Sequence, residues 1–321
     1  MADQMHNHPE VVTFGETMGL LFPAGSKGIE YSPLLEQSFG GAESNLAIGL
    51  ARLGHRVGWF GLLGSDPIGN IIEKRLRGEG VDVSRCKRAS GSPTGLMLRE
   101  AVAGKSSVYY YRKFSAASTM TPAHLDEAYL AGAKMLHVTG ITTALSASCR
   151  ETVLEAVRIA KRNGVKVCFD PNLRLKLWTI EEARETLLPI AQEADYFLPG
   201  LDELKLLYDT DDTDRIFENL HKLGCVCIVK GGEAETFVAH GGAVESVPFF
   251  PVERVVDTVG AGDGFCAGFL AGVLRGMSNV EAVRIGSLIG AMVVQVEGDW
   301  QGLPTWEQVE AVLGNKKHVE R

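Results

Sequence analysis

Aromatic side chains fill 7% of the 321 positions, and basic residues are outnumbered by acidic ones, 32 to 40. The resulting net charge of -8 argues against a nucleic-acid-binding surface, while leaving room for a local basic pocket. No apolar run reaches the roughly 20 residues of a membrane span. The longest, Gly264–Leu274 and Gly286–Val296, are short and glycine-rich. The first ten residues, MADQMHNHPE, are polar and lack the apolar centre of a signal peptide, and His6 and His8 read as tail residues. No C-x-x-C pair occurs among the six cysteines, and no Cys/His cluster has metal-ligand spacing. Reduced thiols in a cytoplasmic protein are therefore expected, with Cys225 and Cys227 sharing one face of a strand as small buried hydrophobes.

Two nucleotide-binding signatures are missing as well. Gly104-Lys105-Ser106 ends like a P-loop, but Arg99 stands where that loop needs glycine, and the segment lies between two strands. No G-x-G-x-x-G follows a strand and opens a helix, which excludes a nicotinamide-dependent Rossmann enzyme.

What is present is an ordinary globular composition, 45% hydrophobic and 22% charged. From about residue 130, short apolar runs alternate with amphipathic stretches. Strands are predicted at Lys134–Val138, Val165–Phe169, Tyr196–Leu198 and Val226–Val229, and helices at Ala147–Asn163, Ile180–Glu193 and Leu201–Tyr208. Gly164 and Gly224 stand where helix-ending glycines belong. The pattern is that of an α/β fold with a doubly wound, mainly parallel sheet flanked by helices. Nearer the amino terminus, Val57–Leu63 and Ile68–Glu79 fit the same alternation. Thr17–Pro23, Gly95–Ala101 and Ser107–Lys113 look instead like exposed or edge strands, with a turn at Gly104. A single domain over 1–321 is expected, with a small β-lid built from strands within 17–40 and 95–114.

The chemistry concentrates at Asp257-Thr258-Val259-Gly260-Ala261-Gly262-Asp263-Gly264-Phe265, which follows a strand-like stretch Val252–Val256 and opens an apolar helix, Phe265–Leu274. A glycine-rich turn feeding a helix presents free N–H groups at the positive end of the helix dipole, a site for anions. Asp263 would compete with a bound phosphate unless its carboxylate faces an acceptor hydroxyl as general base. Otherwise it simply caps the helix. A second segment, Phe39-Gly40-Gly41-Ala42-Glu43-Ser44-Asn45, leads into a predicted helix Leu46–Leu53. It is either a capped turn or a place where a small polar ligand approaches the backbone.

Together these segments resemble the ribokinase-like (PfkB) carbohydrate kinases, through the Asp257–Phe265 signature and through Gly40-Gly41 with Asn45, Ala51-Arg52-Leu53-Gly54 and Gly61-x-x-Gly64-x-Asp66-x-x-Gly69. Within that family the chain is most similar to the 2-keto-3-deoxygluconate kinases, on Tyr109-Tyr110-Tyr111-Arg112-Lys113, Leu136–Thr142, Asn172-x-Arg174 and Glu297-Gly298-Asp299. The resemblance implies Asp263 as catalytic base, and Gly41, Tyr110, Tyr111, Arg112, Arg174, Asp263 and Asp299 as contacts to a sugar acid. It implies an ATP site made of Asn172, Arg174, Lys230, Gly231, Gly232, Glu233, Ala234 and Glu235, with Gly260, Ala261, Gly262 and Asp263 as the anion hole. Glu235 replaces a usual glycine, and Gly200 replaces the asparagine of an N-x-x-E element that keeps Glu203, so no direct protein ligand for a metal is assigned. The implied reaction is ATP- and Mg²⁺-dependent phosphorylation of the 6-hydroxyl. Net charge and run length argue against nucleic-acid and membrane partners, and the exposed lid strands lead to an expected homo-oligomer whose size the sequence leaves open. A kinase for a neutral sugar, or a non-catalytic sugar-binding regulator, are the competing readings.

Overall fold

Residues such as Val11, Val12, Leu136, Val167, Phe169, Cys227 and Ile228 are fully buried, as strands covered on both faces require. The computed structural model describes residues 8–25, 28–102, 105–231 and 234–314. The turn at Gly104, His6, and the loop residues Gly232 and Glu233 lie outside them. The strands in chain order are β1 (Val11–Phe14), β2 (Met18–Pro23), β3 (Leu35–Gly40), β4 (Val57–Phe60), β5 (Leu62–Gly64), β6 (Lys87–Ala89), β7 (Leu96–Val102), β8 (Lys105–Tyr111), β9 (Met135–Thr139), β10 (Lys166–Asp170), β11 (Tyr196–Phe197), β12 (Val226–Val229), β13 (Glu235–His240) and β14 (Ala243–Pro248).

Among the described residues, eight strands form the main sheet in the order β14-β13-β12-β11-β10-β9-β1-β4. The strands from β12 to β4 pair in parallel, and β13 and β14 add an antiparallel hairpin at one edge. Alternate side chains enter two separate cores. Val11, Met135, Cys168 and Ile228 pack with the helices Ala42–Arg52, Ala261–Leu274 and Asn279–Val293. Val12, Leu136, Phe169 and Val229 pack with Ala147–Arg162, Ile180–Glu193, Leu201–Tyr208 and Thr213–His221. Local chemistry agrees with the helix starts: Asp66 accepts from the Gly69 amide, and Thr179 with Glu182 forms a capping box. Gly164 and Gly224 have left-handed φ of 69° and 72°.

The second sheet is four-stranded, in the order β3-β2-β7-β8. Met18, Leu20 and Met97 form its own small apolar cluster. Several expectations change here. The segment Thr17–Pro23 is not an edge strand, because β2 lies inside this sheet between β3 and β7. Val57–Leu63 is not one strand: β4 joins the main sheet, while β5 leaves it to pair with β6. The stretch Val252–Val256 forms no strand and stays largely exposed. Both functional helices begin four residues earlier than their apolar pattern predicts, at Ala42 rather than Leu46 and at Ala261 rather than Phe265. Small and polar residues in a first turn carry no hydrophobic signal, so periodicity starts only at the second turn. Cys225 and Cys227 are buried with their sulfurs 3.6 Å apart, and all six cysteines are free thiols.

The helices Ala261–Leu274 and Asn279–Val293 approach so closely that a Cβ on Gly268 would stand 2.9 Å from the Gly286 Cα and 3.0 Å from the Ile285 carbonyl oxygen. Gly268→Ile should force this pair apart and cost about 3 kcal/mol of unfolding free energy. Urea denaturation checks it: an unchanged midpoint would mean that the helices have slack.

Candidate active site

The carboxyl ends of parallel strands are where α/β sheets bind ligands, and here β9, β10 and β12 end beneath the inner face of the four-stranded sheet. The space between is a cavity of about 370 Å³. Its floor is the start of the helix Ala261–Leu274. Gly260 precedes that helix with φ 77°, and a Cβ there would fall 1.8 Å from the Asp299 carbonyl oxygen, so only glycine fits. No group among the described residues accepts a hydrogen bond from the amides of Gly262 and Asp263. They point the positive end of a fourteen-residue helix into the cavity.

Asp263 therefore lies in the first turn of the helix, not before it. Asn45, in the first turn of the other early-starting helix, donates from Nδ2 to Asp263 Oδ2 at 2.8 Å. Apart from the side open to the cavity, the carboxyl is surrounded by protein. Burial raises its pKa to about 7, Asn45 opposes this, and the negative Asp170 and Glu43 add to it. An acid poised near neutrality can be ionised and still hold a proton well.

Below it, Asp170 at the end of β10 joins three walls of the cavity. Lys230 Nζ donates to Oδ2 at 2.7 Å, the Cys266 thiol donates to the same oxygen at 3.2 Å, and the Asn172 amide donates to Oδ1 at 3.0 Å. That last bond supports Asn172 in a left-handed conformation, φ 37°. Burial alone would raise the Asp170 pKa, but the Lys230 ammonium outweighs it and holds the carboxylate low. The same partner holds Lys230 protonated against its own burial. Glu203 also faces the cavity and accepts from the amides of Gly200 and Leu173, each at 2.6 Å. Burial raises its pKa, and the negative Asp170 raises it further.

The roof is the face of the four-stranded sheet that carries Met18, Leu20, Met97, Arg99, Val108, Tyr110 and Arg112. The alternation of β8 and the residues just after it brings Tyr110 and Arg112 inward and turns Tyr109 and Tyr111 outward. Tyr111, expected at the sugar-acid site, is 62% exposed and lines a neighbouring groove instead. Arg112, expected to offer its fork to a carboxylate, already makes bonds from Nε (2.7 Å) and Nη2 (2.5 Å) to the buried Glu16, which also accepts from Ser115. Its Nη1 edge is the one left for a ligand. Arg174 lines the cavity with an exposed side chain, anchored through Nη1 to the Leu173 carbonyl at 3.1 Å.

Arg99 has a role that its sequence context did not signal. It reaches from β7 to Asp257 at 2.6 Å and to Asp299 at 3.4 Å. Asp257 in turn accepts from the Val259 and Gly298 amides, both at 3.1 Å, so one arginine ties the roof to the glycine turn. Asp299 is buried, which raises its pKa to about 6, with Arg99 opposing and Asp257 adding to the rise.

Beyond Lys230 and Gly262, a shallow, open slot of about 300 Å³ continues the cavity between Phe249, Phe250, Val252, Ala291 and Val294. Its apolar walls suit a flat heteroaromatic base. Gly231 and Ala261 line this slot and not the main cavity, while Ala234 and Glu235 line neither. Glu235 begins β13, and its carboxylate accepts from Ser246. The expected sites thus assemble Gly41, Tyr110, Arg112, Asn172, Arg174, Lys230, Gly260, Gly262, Asp263 and Asp299 around one space. Sequence reasoning missed Glu16, Asp170, Arg99 and the phenylalanines of the slot, and only Asp170, at a strand end before proline, carried any signal.

No three His, Cys, Asp or Glu side chains among the described residues gather as a metal site. Asp170 and Glu203 already accept backbone N–H groups, so they fit Mg²⁺ only through its retained waters, with the ion carried on phosphate oxygens.

Comparison with known proteins matches residues 8–306 to the family described as "pfkB family carbohydrate kinase". A 2-dehydro-3-deoxygluconokinase of Bacillus subtilis (strain 168) is 40% identical over 316 residues, covering 97% of this chain and 98% of that protein. The crystal structure of a PfkB protein from Polaromonas sp. JS666 superposes with a TM-score of 0.86 at 36% identity, over 94% of this chain and 99% of that one. A 2-dehydro-3-deoxygluconokinase from Thermotoga maritima superposes with a TM-score of 0.88 at 26% identity, over 96% and 99% of the two chains. With its ribokinase-like fold and its nearly full-length match, the chain belongs to the pfkB family and is a carbohydrate kinase.

Proposed function

We propose that the protein transfers the γ-phosphoryl group of ATP to the 6-hydroxyl of 2-keto-3-deoxygluconate (the 2-dehydro-3-deoxygluconate of the relatives' names). The observation that carries the reading is the Asp263 carboxyl, fixed by Asn45 beside the bare amides of Gly262 and Asp263. The identity of the acceptor is supported by the 40% identical Bacillus relative and by two arginines, Arg112 and Arg174, lining the cavity.

In this mechanism the base occupies the apolar slot and the phosphates run past Lys230 and Asn172 to the helix start. The four-stranded sheet acts as a lid, and Tyr110, Arg112 and Asp299 orient the acid. Asp263 takes the 6-hydroxyl proton as that oxygen attacks the γ-phosphorus and the bond to the ADP oxygen breaks. The amides of the glycine turn receive the charge on the phosphoryl oxygens, and placement supplies most of the acceleration. Asp170 and Glu203 would hold a nucleotide-borne Mg²⁺ through its waters, and the ion would supply neutralisation of phosphate charge. One observation favours the second reading, a neutral sugar: Glu16 already balances Arg112, so this arginine alone does not demand an anionic acceptor.

Three measurements test the proposal. Asp263→Asn should lower kcat by about a thousandfold or more while ATP still binds, since a positioned base contributes roughly 10²–10⁴ and the anion hole survives. Turnover within tenfold of the parent would remove Asp263 from the role. Because the base works only when deprotonated and its pKa is about 7, kcat/KM should rise about tenfold per pH unit from pH 5.5 and level off above 7. A profile flat down to pH 5.5 would contradict this. An ADP-coupled assay over the 2-keto-3-deoxy acids of gluconate and galactonate, fructose and ribose should give its highest kcat/KM with a sugar acid. A higher value with a neutral sugar would hand the assignment to the second reading.

A further inference from the structure

Outside the catalytic cavity, and opening into it past Tyr110, Arg112 and Arg174, lies a second groove of about 1380 Å³. Its walls carry four cationic side chains, Arg112, Lys113, Arg174 and Lys176, and no aspartate or glutamate. On a chain of net charge -8, such a one-signed patch runs against the average surface. Arg112 is balanced by Glu16, but no carboxylate among the described residues lies within ion-pair distance of Lys113, Arg174 or Lys176. The two lysines are held over the groove by aromatic rings. Lys113 Nζ is 5.3 Å from the centre of Phe114, itself 73% exposed, and Lys176 Nζ is 6.0 Å from that of Tyr110.

We propose that this groove is a vestibule for an anionic acceptor, in which Lys113 and Lys176 collect a small carboxylate and deliver it to Arg174 and the inner edge of Arg112. The inference rests on the sugar-acid reading above and adds the route and two residues to it. An acidic protein repels an anion at long range, and a local positive mouth reverses the sign where capture occurs. The fields of such exposed charges decay within about 8 Å at physiological ionic strength, so they act on approach and leave the chemical step alone. The nucleotide does not share this entrance, since the apolar slot adjoins the cavity on the Lys230 and Gly262 side. The effect is therefore confined to the acceptor.

The test compares the full-length parent with K113E/K176E and with K113R/K176R, all checked for the same thermal midpoint and the same mass by light scattering. Initial rates are taken with 2-keto-3-deoxygluconate and ATP at roughly 20 and 300 mM ionic strength, which spans strong and weak screening. For the parent, kcat/KM for the acid should fall several-fold with salt. The charge-reversed variant should lose about tenfold in kcat/KM at low salt, with kcat and the KM for ATP unchanged and the salt dependence flattened or inverted. The arginine variant should behave as the parent. Unchanged kcat/KM in the reversed variant overturns the vestibule while leaving the kinase assignment intact. An equal loss in kcat or in the KM for ATP also overturns it, as does a change of mass, which would make the groove a subunit contact. A parent that phosphorylates only neutral sugars removes the sugar-acid reading itself, and the vestibule with it.

Discussion

Every helix leaves its first amide donors without internal partners, and the helix Ala261–Leu274 starts in a cavity beneath a sheet with Asp263 in its first turn. That constraint organises the molecule. The free amides of Gly262 and Asp263 face the cavity without a protein acceptor, the Asp263 carboxyl beside them is raised toward neutral pH by burial, and the proposed phosphoryl transfer would use both. The tight helix pair beneath fixes the height of this platform, and Gly260 lets the chain turn under the Asp299 carbonyl without a side chain in the way.

The surrounding charges keep that platform in register. Asp170 bonds at once to Lys230, to Cys266 on the platform helix and to the amide of Asn172, so one carboxylate sets the relative positions of three walls. Across the cavity, Arg99 links the roof to Asp257, whose own acceptors shape the glycine turn. Two hydrogen bonds thus connect the roof strand to the Val259 amide at the start of the glycine turn. Buried ions held in this way make poor sources of stability, because desolvation offsets most of their attraction. They favour one geometry over others, which is what in-line transfer requires.

Strand-to-helix alternation was enough to read the parallel sheet from the chain alone, and glycine spacing was enough to place a tight turn at the start of the helix that carries Asp263. Both depend on local rules: a strand buried on both faces is mostly apolar, and a left-handed turn position favours glycine. The early helix starts at Ala42 and Ala261 were illegible because first turns of small and polar residues, Ala-Glu-Ser-Asn and Ala-Gly-Asp-Gly, carry no amphipathic signal. The orientation of the tyrosine run was half legible. Alternation required Tyr110 and Tyr111 to part company, but which of them faces inward depends on how β8 pairs with β7.

The sequence by itself determined which chemistry is available: an aspartate after a glycine turn, arginines in the expected places, few positive charges overall. Only the tertiary structure decided which charges are free to use it. Glu16 reaches Arg112 across 96 positions, Asp257 meets Arg99 across 158, and Asn45 meets Asp263 across 218. Ion pairing depends on distance in space and on how much water is excluded around each pair, and neither quantity is written in local sequence.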